Sequence, residues 1–221
     1  MTDTSPTTDT DVWFEGAFMR VLVDTNDSGG AISMMEHWYP ANWSPPLHVH
    51  HREDQVLHVL EGLIRARADD GPETTLHAGE SAFLPRDVPH TFISGPEGAK
   101  VLEINTPGGF EQFIAKVGVP ASEPNGFDIS MSEEFIRKAV VECGGYGMAL
   151  PELEAPPWRS GNPAPRLKDG GTELKGSFWL MGHRMRLLQT IGDLSIVEVV
   201  TSPGVPGPPP HRHKRSAEMF Y

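Results

Sequence analysis

The chain has 221 residues, with 30 acidic against 18 basic side chains and a net charge of −12. That length fits one large domain or two modest ones. The acidity disfavours nucleic acid and anionic membrane surfaces as partners, because like charge opposes approach to a phosphate group. Cys143 is the only cysteine, which excludes an intramolecular disulfide. No apolar run approaches the roughly 20 residues that a membrane-spanning helix needs.

Residues 1–11 are polar and acidic, and this composition predicts a disordered leader. The segment lacks the basic start and the apolar core of a secretory signal peptide. We therefore expect a cytoplasmic protein without membrane association.

Short apolar segments separated by turn signals follow, in a chain with 21 prolines and 23 glycines. In chain order, strands are predicted over residues 17–23, 31–38, 47–50, 55–60, 63–68, 74–77, 82–84, 91–94 and 100–105. Such a series is typical of an antiparallel all-β barrel or sandwich. Residues 110–117 and 132–143 have helical spacing and are predicted to form short helices outside the barrel. Residues 121–171 are predicted to be a helical segment and linker, with the Pro- and Gly-rich linker over 151–171.

A pair of histidines is the first feature that suggests chemistry. His48 and His50 are two residues apart, and side chains two apart on a strand share a face. Neutral imidazoles on one face of a sheet provide half of a metal site. Gln55 follows at the start of an apolar strand, and a third histidine, His90, follows a proline-rich bend. An ordinary sandwich with scattered surface histidines does not explain this arrangement.

The two segments around these histidines resemble the two signatures of the cupin superfamily, and residues 12–120 resemble the quercetin-dioxygenase-like cupins. The resemblance implies an all-β cupin fold, a double-stranded β-helix or jelly-roll barrel, with short peripheral helices. It also implies that His48, His50 and His90 bind one divalent metal ion per chain. Gln55 stands where the family usually has a glutamate. The sequence leaves iron, nickel, manganese and zinc open as the metal.

Gln55 is the departure from the family pattern. Its amide oxygen is a weaker, neutral ligand, which leaves the charge of a divalent ion uncompensated and strengthens the ion as a Lewis acid. Glu53 could take its place only if the loop shifted register, and the apolar alternation after residue 55 opposes that shift. Glu103 is a second candidate for a catalytic carboxylate, although we expect it at the surface.

Strand parity predicts which side chains line the interior. Leu57 and Val59 share the face of Gln55, and Phe92 shares the face of His90, so these three apolar side chains are predicted to line a substrate pocket. His51 is adjacent to the metal-site pair and is expected to face away from the metal.

The end of the chain repeats its beginning. Five positions match at a constant offset of 166, with Trp13, Gly16, Met19, Arg20 and Leu22 in the first copy and Trp179, Gly182, Met185, Arg186 and Leu188 in the second. The pair His211 and His213 matches the first histidine pair at an offset of 163, and Glu218 falls on the position of the glutamine ligand.

Residues 172–221 therefore resemble the start of a second cupin repeat, as in two-domain bicupins. The repeat is incomplete, because no third histidine follows in it. His211, His213 and Glu218 are accordingly predicted to be a vestigial or incomplete second site. An unpaired β edge invites strand addition, so we expect a homodimer.

Three functions remain open. The first is a metal-dependent dioxygenase acting on a small enolic or aromatic hydroxy compound together with dioxygen, which the family resemblance and the apolar interior favour. The second is a non-oxidative isomerase, cyclase or lyase in which the metal polarises the substrate, which Gln55 favours. The third is a cupin that binds a small ligand without turnover. The fold does not choose among them.

Overall fold

The computed structural model describes residues 10–69, 71–150, 177–180, 183–191, 194–201, 203–205 and 218–221. The chain divides into two compact units, Met1–Asp169 and Gly170–Tyr221. The predicted linker over 151–171 lies outside the described residues, as do residues 1–9 of the predicted leader. Among the helices of the described segments, none has the length and apolar character needed to cross a bilayer.

The first unit combines strands with short helices. In chain order its strands are β1 (Asp11–Phe14), β2 (Ala17–Val23), β3 (Ser33–Tyr39), β4 (Val49–His50), β5 (Asp54–Ala68), β6 (Thr74–His77), β7 (Ser81–Leu84), β8 (His90–Thr106), β9 (Val119–Pro120) and β10 (Met148–Ala149). Its helices are α1 (Phe110–Val117), α2 (Gly126–Ser130) and α3 (Glu133–Cys143), followed by a 3₁₀ helix at Gly144–Tyr146. The second unit contains β11 (Ser177–Leu180), β12 (His183–Ile191) and β13 (Leu194–Val200).

The strands of the first unit pair antiparallel in the order β6-β5-β8-β3-β2-β1-β9, and β7 pairs with the first part of β5. The short β4 pairs with β10. The all-β class and the short helices predicted from the sequence are thus confirmed. β1 is not among the predicted strands. It begins at Asp11, the last residue of the predicted leader, whose buried carboxylate pairs with Arg20 at 2.9 Å.

Two long strands, β5 and β8, give the sheet its curvature. They pair along their whole length, with bulges between Val59 and Glu61 and between Gly62 and Ile64. At this bend Gly62 has a φ of 74°, and a Cβ there would collide with the carbonyl oxygen of Gly98. Glycine is required because the two backbones approach so closely. The sequence predicts four separate strands here, over residues 55–60, 63–68, 91–94 and 100–105. That division is wrong, because a bulge bends a strand without ending it.

The inward faces of the strands form the core. Leu57, Val59 and Met35 are fully buried in one apolar cluster. On the same faces Gln55 and Asn105 are also buried, and they lie opposite each other across β5 and β8. The interior of the barrel therefore changes from apolar to polar along β5 and β8. The candidate site described below lies at the polar end, beside Gln55 and Asn105.

The two helices predicted in the first unit are confirmed. α1 spans residues 110–117 as predicted, and its first turn is held by Glu111, which accepts hydrogen bonds from the backbone N–H groups of Thr25 and Gly109. α3 begins one residue after the predicted start, because Ser132 is its N-cap and accepts from the N–H of Phe135 at 3.2 Å.

The second unit repeats the pairing of the first strands. β11 pairs with β12 so that Trp179 lies opposite Arg184, and β1 pairs with β2 so that Trp13 lies opposite Phe18. Trp179 and Arg184 stand 166 residues after Trp13 and Phe18, and this is the offset that separates the two copies of the sequence repeat.

An irregularity in the pairing is repeated as well. β2 and β3 shift register between Val21 and Val23, and β12 and β13 shift register between Leu187 and Gln189. A bulge at the same position of both sheets indicates that the sequence repeat is also a structural repeat of three strands.

Candidate metal centre

The backbone places the three predicted metal-binding histidines side by side. His48 and His90 face each other across an antiparallel bridge, with N–H···O distances of 3.1 and 2.8 Å. His50 follows in β4. One imidazole nitrogen from each ring lies within 4.8 Å of the others, so the structure brings together residues that are far apart in the chain.

Backbone carbonyls fix the orientation of two of these rings. Nδ1 of His48 lies 2.9 Å from the carbonyl oxygen of Pro46, and Nδ1 of His90 lies 2.9 Å from that of Val88. A carbonyl oxygen can only accept, so each Nδ1 carries the proton and each Nε2 keeps a free lone pair. Metal-binding histidines are typically held in this way.

The chemistry of the interior fits a metal ion. Nε2 of His90 and both ring nitrogens of His50 are buried and have no hydrogen-bond partner within the described segments. Buried polar atoms are normally satisfied, so orphan lone pairs that converge require a partner. Three neutral imidazoles suit a divalent ion of iron, nickel or zinc.

Burial keeps the rings of His48 and His90 neutral. The pKa of His48 falls from 6.5 to about 3, first because burial disfavours the charged ring and then because His50 is close. Burial, followed by the neighbouring histidines, also holds the pKa of His90 well below its ordinary value. The neutral form is the one that binds metal, so these ligands compete little with protons at neutral pH.

Glu53 lies against one of the ligand rings. Its Oε2 is 3.6 Å from Nδ1 of His50, and both side chains are almost completely buried. The separation is longer than a hydrogen bond, but it places a carboxylate beside the ring nitrogen that is not needed for a metal. Glu53 approaches His50 from the loop before β5, which begins at Asp54.

Gln55 occupies the predicted face. It is 2% exposed, it shares the inward face with Leu57 and Val59, and its Oε1 has no hydrogen-bond partner in the described parts of the chain. This orientation is compatible with a fourth ligand, and that role stays a prediction.

The remaining predicted residues divide between the interior and the surface. Leu57, Val59 and Phe92 all belong to the buried core cluster, as their parity predicts, and their role as a pocket lining stays a prediction. His51 faces outward, half exposed, with Nδ1 2.6 Å from a carboxylate oxygen of Asp87.

A cavity of about 460 Å³ lies away from these residues, between the loop after β3 and the helices α2 and α3.

Glu103 is not at the surface, so that prediction is wrong. It is 2% exposed and faces the interior from β8, opposite Leu57. Its Oε1 accepts a hydrogen bond of 2.9 Å from Nδ2 of Asn105, and its Oε2 lies 3.6 Å from Nε2 of His37. Nδ1 of His37 lies 2.8 Å from the hydroxyl oxygen of Tyr39.

His37, Tyr39 and Asn105 are missing from the sequence-based site. The alternation along β3 and β8 could have placed them inside, because residues two apart share a face. Burial lowers the pKa of His37, although the nearby carboxylates of Glu103 and Glu36 oppose this effect. Burial, reinforced by Glu103, raises the pKa of Tyr39 well above its ordinary value.

The predicted second site is not assembled by the described residues. His211 and His213 lie outside them, and Glu218 is exposed.

A comparison with models of protein families agrees with the fold of the first unit. Residues 34–105, from β3 to β8, match the family model described as "Cupin domain". Together with the antiparallel strand order, this match supports an all-β cupin fold for the first unit. No curated protein sequence matches the chain significantly.

Several solved structures are similar to part of this chain. KdgF from Halomonas sp. is 17% identical, with a TM-score of 0.38, over 48% of this chain and 84% of that one. An RmlC-like cupin from Shewanella frigidimarina is 23% identical, with a TM-score of 0.40, over 49% and 93%. Ectoine synthase from P. lautus is 14% identical, with a TM-score of 0.43, over 49% and 77%. These values are too low to extend any of those proteins' activities to this chain.

Proposed function

We propose that the protein is a metal-dependent enzyme, in the first place a dioxygenase that acts on a small enolic or aromatic hydroxy compound. The observation that carries the proposal is the convergence of His48, His50 and His90, whose ligand nitrogens lie within 4.8 Å of one another. When bound, a divalent ion supplies Lewis-acid polarisation of a substrate oxygen and, if redox-active, electron transfer.

The residues of the chain have separate tasks in this proposal. The three histidines hold the ion, and the backbone carbonyls of Pro46 and Val88 keep two of the rings oriented. The apolar side chains of Leu57, Val59 and Phe92 exclude water and suit a flat organic ligand.

A second candidate is a non-oxidative isomerase, cyclase or lyase, and Gln55 is the observation that favours it. A neutral amide beside three neutral imidazoles leaves the full charge on a divalent ion. Such a site polarises a carbonyl or enol oxygen strongly but makes an iron centre harder to oxidise. A cupin that only binds a small ligand would show neither activity.

Metal reconstitution combined with oxygen consumption tests the proposal. The metal-free protein is loaded separately with iron, nickel, manganese and zinc, and each form is mixed with a flavonol in an oxygen electrode. We expect oxygen uptake with at least one redox-active metal and none with zinc. His90→Ala treated identically is the control for free metal, and His77→Ala, which alters an exposed histidine, is the control for mutation.

The other outcomes separate the candidates. Turnover of the flavonol by the zinc form without oxygen uptake would support the non-oxidative enzyme instead. Metal bound in full, with no turnover under any condition, would contradict both enzymatic proposals for this substrate class.

A further inference from the structure

A polar network crosses the inner face of the cupin domain. It runs from Tyr39 through His37 to Glu103 and Asn105, with successive separations of 2.8, 3.6 and 2.9 Å. All four side chains are at most 4% exposed. The metal centre as described above uses none of them.

The network adjoins the candidate metal centre through the pairing of β5 and β8. Asn105 lies directly opposite Gln55, and Glu103 lies directly opposite Leu57. Side chains opposite each other in an antiparallel pair have Cβ atoms about 4.5–5.5 Å apart. Glu103 is therefore one step along the barrel wall from the proposed glutamine ligand, on the same inward face.

Stability alone does not explain these residues. A buried carboxylate and imidazole lose their hydration, and apolar side chains of similar size often stabilise a core as well or better. The network is also incompletely satisfied, because Nε2 of His37 and Oδ1 of Asn105 have no hydrogen-bond partner in the described segments. Unpartnered polar atoms around a buried carboxylate are typical of a site that receives a polar ligand.

The Glu103 carboxylate favours one arrangement of the protons. It lies 3.6 Å from Nε2 of His37 and favours a proton on that nitrogen, so that Nδ1 accepts from the hydroxyl of Tyr39, which keeps its proton because its pKa is raised. A neutral His37 with an accepting Nδ1 carries its proton on Nε2, which faces the Glu103 carboxylate. Asn105 thus donates a hydrogen bond to Glu103, whereas the Nε2–H of His37 faces the same carboxylate from 3.6 Å and remains open to a ligand.

We propose that Glu103 is a base that takes the proton of a hydroxyl ligand chelating the metal ion, with His37 and Tyr39 as positioning residues. The proposal rests on the proposed metal site and substrate class. In this step the O–H bond of the ligand breaks, its oxygen keeps the electron pair, and an O–H bond forms on the carboxylate of Glu103. No oxidant or further reactant is required, so the step serves the oxidative and the non-oxidative enzyme alike.

Proton counting by calorimetry tests the proposal without turnover. Zinc-loaded protein is titrated with catechol in two buffers of different ionisation enthalpy, which gives the number of protons released per bound catechol. Zinc is not redox-active, so oxygen chemistry does not interfere. We expect wild type to release about one proton fewer than Glu103→Gln, because Glu103 retains the proton. Equal release by the two proteins would overturn the proposal.

Glu111→Gln is the matched control. Glu111 is also a buried carboxylate, but its oxygens accept the N–H groups of Thr25 and Gly109 at the start of α1. We expect the wild-type proton count from this variant. If Glu111→Gln released as many protons per bound catechol as Glu103→Gln, the loss of any buried carboxylate would explain the difference from wild type, and the proposal would be overturned.

Metal content, measured before each titration, separates this proposal from the proposed function. A protein that does not retain zinc contradicts the metal enzyme itself. A protein that retains zinc and binds catechol, but with equal proton counts, contradicts only the role of Glu103. Retained zinc without catechol binding contradicts the ligand class and the base together.

The positioning role has its own readout. The ring ¹⁵N shifts of His37 are expected to show a neutral ring with the proton on Nε2, and Tyr39→Phe is expected to produce a mixture of both tautomers. A purely structural Tyr39 would leave the tautomer unchanged, and that result would remove Tyr39 from the proposal.

Discussion

The carboxylate of Glu53 lies 3.6 Å from Nδ1 of His50, with both side chains almost fully buried. A carboxylate in this position orients a metal-binding imidazole and increases its basicity. Glu53→Gln is therefore expected to weaken metal affinity by about 10- to 100-fold while leaving one ion bound at saturation. Competition against a fluorescent chelator measures the change.

Asp54→Asn is the control for Glu53. Asp54 is the adjacent carboxylate, but it pairs with Arg86 at 2.9 Å. We expect its removal to leave metal affinity unchanged. If Glu53→Gln bound no metal even at saturation, Glu53 would be a direct ligand, and our assignment of it would be wrong.

Gln55→Glu restores the side chain that cupins usually have at this position. The added carboxylate faces the interior, because Gln55 is buried on the inward face of β5. Attraction between opposite charges is expected to tighten metal retention by about tenfold or more. The dissociation rate into excess chelator provides the measurement. An unchanged rate would show that residue 55 does not contact the ion.

The depressed pKa of His48 predicts the pH dependence of the metal-free protein. The unfolded chain takes up a proton as pH falls below 6.5, whereas folded His48 does so only near about 3. Stability is therefore fully present above pH 6.5 and is lost progressively as pH falls from there towards 3. The pKa of His90, which is also lowered, acts in the same direction.

Melting temperatures measured from about pH 7 to about pH 4 test this dependence. We expect a steeper decrease for the metal-free wild type than for the His48→Asn, His90→Asn double variant, which cannot take up these protons. Parallel curves for the two proteins would contradict the assignment of neutral buried rings.

The second unit predicts self-association. Val197 and Val199 on β13 are 39% and 45% exposed, and their register corresponds to the inward face of β3 in the first unit. Exposed apolar strand faces favour pairing. We expect a dimer by light scattering over a tenfold concentration range, and a monomer for Val197→Lys, Val199→Lys. Val141→Lys, which alters an exposed valine of α3, is the control. A wild-type monomer throughout would refute the prediction.

Much of the fold was predictable because local patterns determine it. Alternating strands, the helical spacing of α1 and the histidine spacing were all visible in the sequence. The continuity of the long strands β5 and β8 was not predictable. In the sequence Gly62 has the appearance of a turn residue, whereas in the structure it packs against Gly98 at a bend that both strands continue past. That contact depends on tertiary structure, which no local pattern contains.

The candidate site was only partly predictable for the same reason. Parity correctly placed His48, His50 and Gln55, which lie on or next to regular strands. It did not place Glu53, which lies in the loop before β5, where parity does not apply. It also did not identify the network of Glu103 and His37, because their contact depends on the pairing of β3 with β8.

Metal stoichiometry by elemental analysis tests the central claim, that His48, His50 and His90 together hold one divalent ion. We predict one ion per chain in wild type, a loss of metal in each single alanine variant, and a lower melting temperature wherever the metal is lost. His77→Ala and the double variant His211→Ala, His213→Ala are predicted to retain the full ion. A full equivalent of metal in all three single variants of the cluster would contradict the account.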